Sequence, residues 1–154
     1  MRAVVQKTLT SSVTSDGVLV GKAAEGLTVL LGVSVDDEEK DALYLADKIV
    51  HLRIFEDEAG KLNDSLLDKG GDMLVISQFT LYGDARHGRR PSYVEAAKPE
   101  QAEALYTRFV EAVRAFGVTV ATGASGPIWS YPLRTTGRLP FYWTARKTSK
   151  EESP

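Results

Sequence analysis

Two hydroxyls and one amide crowd into the residues after Ile76: Ser77, Gln78 and Thr80 stand where a core strand would continue with Val or Ile. Side chains of this kind can orient a water or hold a developing oxyanion. Shortly beyond them, Arg86-His87-Gly88-Arg89-Arg90 forms a compact cationic stretch that Pro91 ends. Guanidinium groups recognise phosphates bidentately. An apolar strand, a polar strand end and a basic loop together suit a charged, hydrogen-bonding ligand. Each group also has a plainer reading. The polar trio can satisfy backbone groups where the strand stops, which spacing alone favours, and the arginines can be a solvated loop. A Ser–His–Asp triad needs His51 or His87 as its base, and the spacing gives that no support.

The chain has 154 residues, 43% hydrophobic and 26% charged, the size of a single domain. A net charge of −2 excludes the bulk basicity of a generic nucleic-acid coat, so any RNA contact must come from a local patch such as Arg86–Arg90. There is no cysteine, hence no disulfide, thiolate metal site or Cys nucleophile. With His51 and His87 as the only histidines, no metal site and no cofactor are expected. Asp36–Glu39 and Asp57–Glu58 suit a helix start and a turn better than an ion site. No apolar run nears the roughly 20 residues that span a bilayer. The basic, acid-free N-terminus reads more easily as a first strand than as a targeting peptide, so the cytoplasm is expected.

The elements that must position these groups follow from periodicity. Ala3–Thr14 reads as a first strand, Asp16-Gly17 as a turn, and Val18–Lys22 as a short strand. Leu27–Val35 is an almost continuous apolar run and therefore a central strand, with Gly32 marking a bulge or a close backbone approach. Acids at Asp36–Glu39 open a helix that runs to about Leu52 on Ala42, Leu45, Ala46, Ile49 and Val50. Arg53–Phe55 is a short strand, 57–61 a hairpin turn, and Asn63–Gly71 loop. Pro99 starts a second helix striped by Ala102, Leu105, Phe109, Ala112, Val113 and Phe116, which Gly117 ends before a strand at Val118–Thr122. Mixed strands with two helices predict one α/β or α+β domain. From Ala124 the tail carries four of the six prolines and both tryptophans, with no period of either kind.

Several segments resemble the D-aminoacyl-tRNA deacylases, the D-Tyr-tRNA deacylase family. These are Met1–Gln6, Gly26-Leu27 with Leu30–Val33, Leu52–Phe55 with Asp57-Glu58 and Gly60-Lys61, and above all Ser77–Tyr82 and Gly88–Ser92. The likeness runs from Met1 to Gly123. It implies a homodimer of β-barrel-like subunits, each an antiparallel or mixed sheet with two flanking helices. The implied activity is hydrolysis of the ester joining a D-amino acid to the 3′ end of tRNA, with glycine mischarged on tRNA a further substrate, as translation quality control. It also implies a site of Ser77, Gln78, Phe79 and Thr80. Either Thr80 is the nucleophile or the tRNA's own 2′-hydroxyl activates water; the second fits better, because no general base is evident near Thr80. Arg86, His87, Arg89 and Arg90 then suit acceptor-end phosphates by charge. No membrane and no DNA partner are expected.

The tail departs from the family, whose C-terminal Asn-x-Gly-Pro-Val-Thr motif carries the Gly-Pro that excludes L-amino acids across the dimer. Gly126-Pro127 lies too early and lacks the Val-Thr, so the chirality-checking residues are unassigned. Permitted codons for Arg134–Phe141, read from the third base, spell Asn-Asp-Gly-Pro-Val-Thr-Phe. The sequence thus divides into a deacylase domain, 1–123, and a tail, 124–154, expected to be the family's C-terminus read out of frame. If the tail is genuine, the alternative is a catalytically impaired RNA-binding or interaction module.

Overall fold

The computed structural model describes residues 1–123, together with two short strands at Leu133–Thr136 and Trp143–Thr144. Strand β1 (Arg2–Thr8) runs antiparallel to β4 (Gly26–Gly32), and β4 runs parallel to β7 (Asp72–Ser77). Parallel β8 (Val120–Thr122) flanks β7, and β10 (Trp143–Thr144) flanks β1, giving the five-stranded order β10-β1-β4-β7-β8. A second antiparallel sheet is ordered β3-β2-β9, from β2 (Thr10–Ser15), β3 (Val18–Ala23) and β9 (Leu133–Thr136). The expected first strand is in fact two. The chain turns a corner at exposed Leu9 and passes from one sheet into the other.

Why β4 and β7 read as unbroken apolar runs is now plain: each is covered on both faces, so nearly every side chain must be apolar. One face, with Val5, Val29, Leu31 and Val75, packs on α1 (Glu39–Val50) and α3 (Pro99–Ala115) through Leu45, Ile49, Phe109 and Val113. Leu74 and Ile76 alternate to the other face and meet Val13 and Ala23 of the second sheet. There β3 closes on β8, with a Cβ built on Gly21 falling 2.5 Å from the Thr122 carbonyl oxygen. The result is a mixed α+β domain with a barrel-like double layer of strands and helices on one side.

Both long helices start as their sequences dictate. Glu38 caps α1 in a reciprocal box with Asp41, and Pro99 opens α3. The turn at 57–61 joins β5 (Phe55–Glu56) to β6 (Leu62–Asp64). Asn63–Gly71, expected as loop, instead holds the end of β6 and a single helical turn, α2 (Leu66–Lys69). The Ser65 hydroxyl accepts from Asp68 N and the Asp68 carboxylate accepts from Ser65 N, a capping box with aspartate in place of the usual glutamate. The central strand also ends early, at Gly32, because Ser34 N turns to the Asp37 carboxylate at 2.6 Å. Asp37 in turn pairs with the Met1 ammonium, which fixes the start of β1. Among the described residues no helix is long and apolar enough to cross a membrane.

Tyr106 ties α3 to the strand that delivers the polar trio. Its hydroxyl donates to the Val75 carbonyl at 2.7 Å, and burial pushes its pKa up to about 12. The folded state holds this proton more tightly than the unfolded one. Its contribution is therefore intact below about pH 10 and is lost as pH rises through about 12. Tyr106→Phe is expected to lower stability by about 1 kcal/mol at neutral pH and to flatten the alkaline limb of the stability profile, measured by urea unfolding. The loss stays modest because Val75 O also accepts from Gly123 N at 3.1 Å.

Candidate functional site

Ser77 is the last residue of β7 and is exposed. The ladder makes one more bond, Gln78 N to Leu31 O at 2.8 Å, and then the backbone tightens into a 3-10 turn at Phe79–Tyr82. Leu81 N reaches Gln78 O at 3.3 Å and Gly83 N reaches Thr80 O at 3.0 Å. The turn fits closely over Gly32, where an added Cβ would meet Gln78 O and the Leu81 Cβ, each at 3.1 Å. Gly32 thus marks a close backbone approach, one of its two expected readings.

Inside this turn the Gln78 side-chain amide donates to the Thr80 hydroxyl, so the two side chains engage each other. Accepting that bond leaves the Thr80 proton available to donate. Among the described residues no titratable side chain is hydrogen-bonded to Thr80. His51 caps α1, with Nδ1 2.8 Å from Asp47 O and its ring edge-on to Phe116 at 5.4 Å, and plays no part here. The turn can therefore present a hydroxyl, an amide and backbone donors to a ligand, but it holds no built-in general base.

The basic loop hangs directly from this turn. Asp84 and Ser92 exchange two backbone hydrogen bonds of 2.8 Å and pinch its ends together. Arg86 folds back on Asp84, whose carboxylate accepts from Arg86 N and Nε at 2.9 Å and from Nη2 at 2.7 Å. These donors, the guanidinium first, hold the Asp84 carboxyl down at about 2. The brace is thus complete at neutral pH and weakens only as pH falls below about 4. Arg89, Arg90 and His87 are exposed, and Arg89 and Arg90 form no ion pair with a described residue. The four basic residues are consequently not equivalent. The Asp84-x-Arg86 spacing, an Asx-turn signal, was there to be read.

An apolar patch completes the surroundings. Phe79 lies edge-on to Tyr93 at 5.2 Å, and both are exposed, as is Val94 at 80%. Sequence spacing also passed over Arg2, whose guanidinium covers the Tyr82 ring at 4.4 Å and donates to Leu81 O at 2.9 Å. No local signal marks that interaction. Gly126-Pro127 and most of the tail lie outside the described residues.

A mixed α+β domain with a polar strand-end turn, no base hydrogen-bonded to Thr80 among the described residues and an adjoining cationic loop suits an ester- or phosphate-bearing ligand without fixing one enzyme. The comparisons narrow it. A family model described as D-Tyr-tRNA(Tyr) deacylase matches residues 4–141. A "D-aminoacyl-tRNA deacylase" of Clostridium botulinum (strain 657 / Type Ba4) is 50% identical over 148 residues, 96% of this chain and 99% of that protein. One from Fervidobacterium nodosum is 50% identical over 147 residues with the same coverage. Among solved structures, "c-Myc DNA Unwinding Element Binding Protein" superposes with a TM-score of 0.87 at 33% identity, covering 96% of this chain and 99% of that one. A "probable eukaryotic D-amino acid tRNA deacylase" shares the fold, with a TM-score of 0.81 at 20% identity and coverage of 94% and 97%. The chain belongs to the D-Tyr-tRNA(Tyr) deacylase family.

Proposed function

We propose that this protein hydrolyses the ester between a D-amino acid and the 3′ end of tRNA, releasing free D-amino acid and tRNA. Family membership supports the reaction, and one observation carries the mechanism: the Gln78–Thr80 pair sits at the strand end, and among the described residues no titratable side chain is hydrogen-bonded to Thr80. Water adds to the ester carbonyl, the bond to the ribose 3′-oxygen breaks, and that oxygen takes up the proton. With no base hydrogen-bonded to Thr80 among the described residues, the neighbouring ribose 2′-hydroxyl is the group that activates the water. Ser77, Gln78, Phe79 and Thr80 hold the aminoacyl end, with backbone donors at the developing oxyanion. The test uses matched D- and L-aminoacyl-tRNA. Turnover of the D-substrate is expected, and no turnover of either with retained tRNA binding would favour a binding module instead. Thr80→Ala should lower kcat by no more than about a hundredfold, as for a lost positioning group. Near-complete loss with normal binding would make Thr80 the nucleophile.

The finer readings belong with this proposal. Arg89 and Arg90 meet acceptor-end phosphates, with His87 beside them and Arg86 shaping the loop. The exposed Phe79–Tyr93 pair, with exposed Val94 next in the chain, offers apolar surface suited to burial in a homodimer, which light scattering would detect. Glycine on tRNA is a second substrate, and the protein works in the cytoplasm, where tRNA is charged. The tail from about Ala124 is the family's C-terminus read out of frame, supported by the Asn-Asp-Gly-Pro-Val-Thr-Phe reading. Resequencing the coding DNA decides this: a frame that runs cleanly through Gly123 and Ala124, with no indel against close relatives, would sink it.

A further inference from the structure

We propose that Arg2 is a positioning residue for this site, clamping the 79–82 turn through the Leu81 carbonyl and the Tyr82 ring. The inference rests on the deacylase reading above. A 3-10 turn leaves the carbonyls of its last residues without partners inside the turn. Gly83 N satisfies Thr80 O, but no backbone donor among the described hydrogen bonds reaches Leu81 O; Arg2 Nη1 supplies one at 2.9 Å. The same guanidinium lies over the face of Tyr82 at 4.4 Å, and Tyr82 is buried. One planar cation therefore fixes both the backbone and a side chain at the end of the turn that carries Thr80.

The geometry explains why the clamp comes from the first strand. Arg2 stands opposite Gly32 in the β1–β4 register, and Gly32 is the bare floor on which the turn rests. The turn is thus held from beneath by Gly32, at its start by Leu31 O and at its end by Arg2. Of the three, only Arg2 acts through a side chain. Its charge also reaches Asp84, the anchor of the basic loop, whose ionised form it favours. With Arg2 removed the fold keeps its core, since Arg2 lies outside the buried clusters. The turn, however, loses its end restraint and Thr80 its fixed place.

Arg2→Ala should lower kcat on D-aminoacyl-tRNA by about tenfold to a hundredfold, the penalty of a displacement near 1 Å. KM should change by less than about threefold, because the Arg2 guanidinium holds the protein's own turn and not the tRNA. Arg2→Lys keeps a donor but loses the planar stack, so it should fall between the two. Gly60→Ala, which strains the β5–β6 turn without touching the 79–82 turn, should leave kcat unchanged. Independently of activity, the Leu81 and Gly83 amides should exchange at least about tenfold faster in Arg2→Ala, with β1 and β4 amides still protected. Wild-type kcat in Arg2→Ala, or unchanged exchange at 81 and 83, overturns the proposal. Should Arg2→Ala not fold, Arg2→Lys decides by the same two readouts. A wild-type protein that leaves D-aminoacyl-tRNA intact would refute the deacylase reading by itself, and the exchange data would still decide whether Arg2 holds the turn.

Discussion

Gly26→Ala is expected to leave no stably folded protein. A Cβ at this position would lie 1.9 Å from Asp72 O and 2.7 Å from Asp72 N, far inside the roughly 3.5 Å at which non-bonded heavy atoms settle. The obstructing atoms are backbone, so no side chain can rotate aside. Relief requires β4 and β7, both interior strands of the five-stranded sheet, to part at their first pair, Gly26 and Asp72. Asp72 cannot retreat alone, because its N–H donates to Glu25 O at 2.9 Å and its carboxylate accepts from Ala24 N at 3.0 Å. Separating that pair disturbs Leu27 and Met73, both fully buried. The expected loss exceeds about 4 kcal/mol, against a total stability of about 5–15 kcal/mol for a domain. Thermal unfolding followed by circular dichroism should show no cooperative transition, or one lowered by more than about 15 °C. Gly60→Ala is the control: its Cβ meets nothing within 4 Å and only its φ of +75° resists, so about 1 kcal/mol should be lost. Equal behaviour of the two variants would mean that the β4–β7 approach accommodates a methyl group at Gly26.

What could be read in advance was whatever one element reports about itself. The period of Ala42, Leu45, Ala46 and Ile49 gives α1 and its buried face, and that of Phe109, Ala112 and Val113 gives α3. The unbroken runs in β4 and β7 announce strands covered on both sides. What could not be read was information held between elements. The corner at Leu9 lies inside a run of good strand formers, and only the second sheet makes the chain turn there. The single turn α2 is too short for a period to register, and its Ser65–Asp68 box shows only in the reciprocal bonds. At the site, the residue types were legible in Ser77–Thr80 and Arg86–Arg90, while their division of labour was not. Asp84 takes up Arg86, and Arg2 reaches Leu81 across 79 positions. The Asp84-x-Arg86 spacing holds a local signal for the first; long-range register sets the second, and spacing along the chain carries no record of it.

Arg89→Ala combined with Arg90→Ala should raise the KM for aminoacyl-tRNA by about tenfold to a hundredfold at physiological salt while leaving kcat nearly untouched. The loop closes on itself through Asp84 and Ser92, and Gly88 turns it with a φ of +83°. Arg86 is spent on the Asp84 carboxylate, whereas Arg89 and Arg90 face solvent. Exposed cations that bind no protein carboxylate are the ones able to displace counterions from a phosphate backbone. Every arginine–phosphate pair removed should reduce the slope of log K against log salt by about 0.7–0.9, so the double variant should flatten it by about 1.5. Arg86→Ala should behave differently. It removes a brace and releases Asp84, placing an uncompensated carboxylate beside the proposed tRNA path, so affinity falls while the salt slope shifts by less than a single phosphate pair would give. Titrations of tRNA binding at several salt concentrations separate the two patterns. If the double variant binds with the wild-type slope, the acceptor end does not cross this loop, and Arg89 and Arg90 are solvated charge alone.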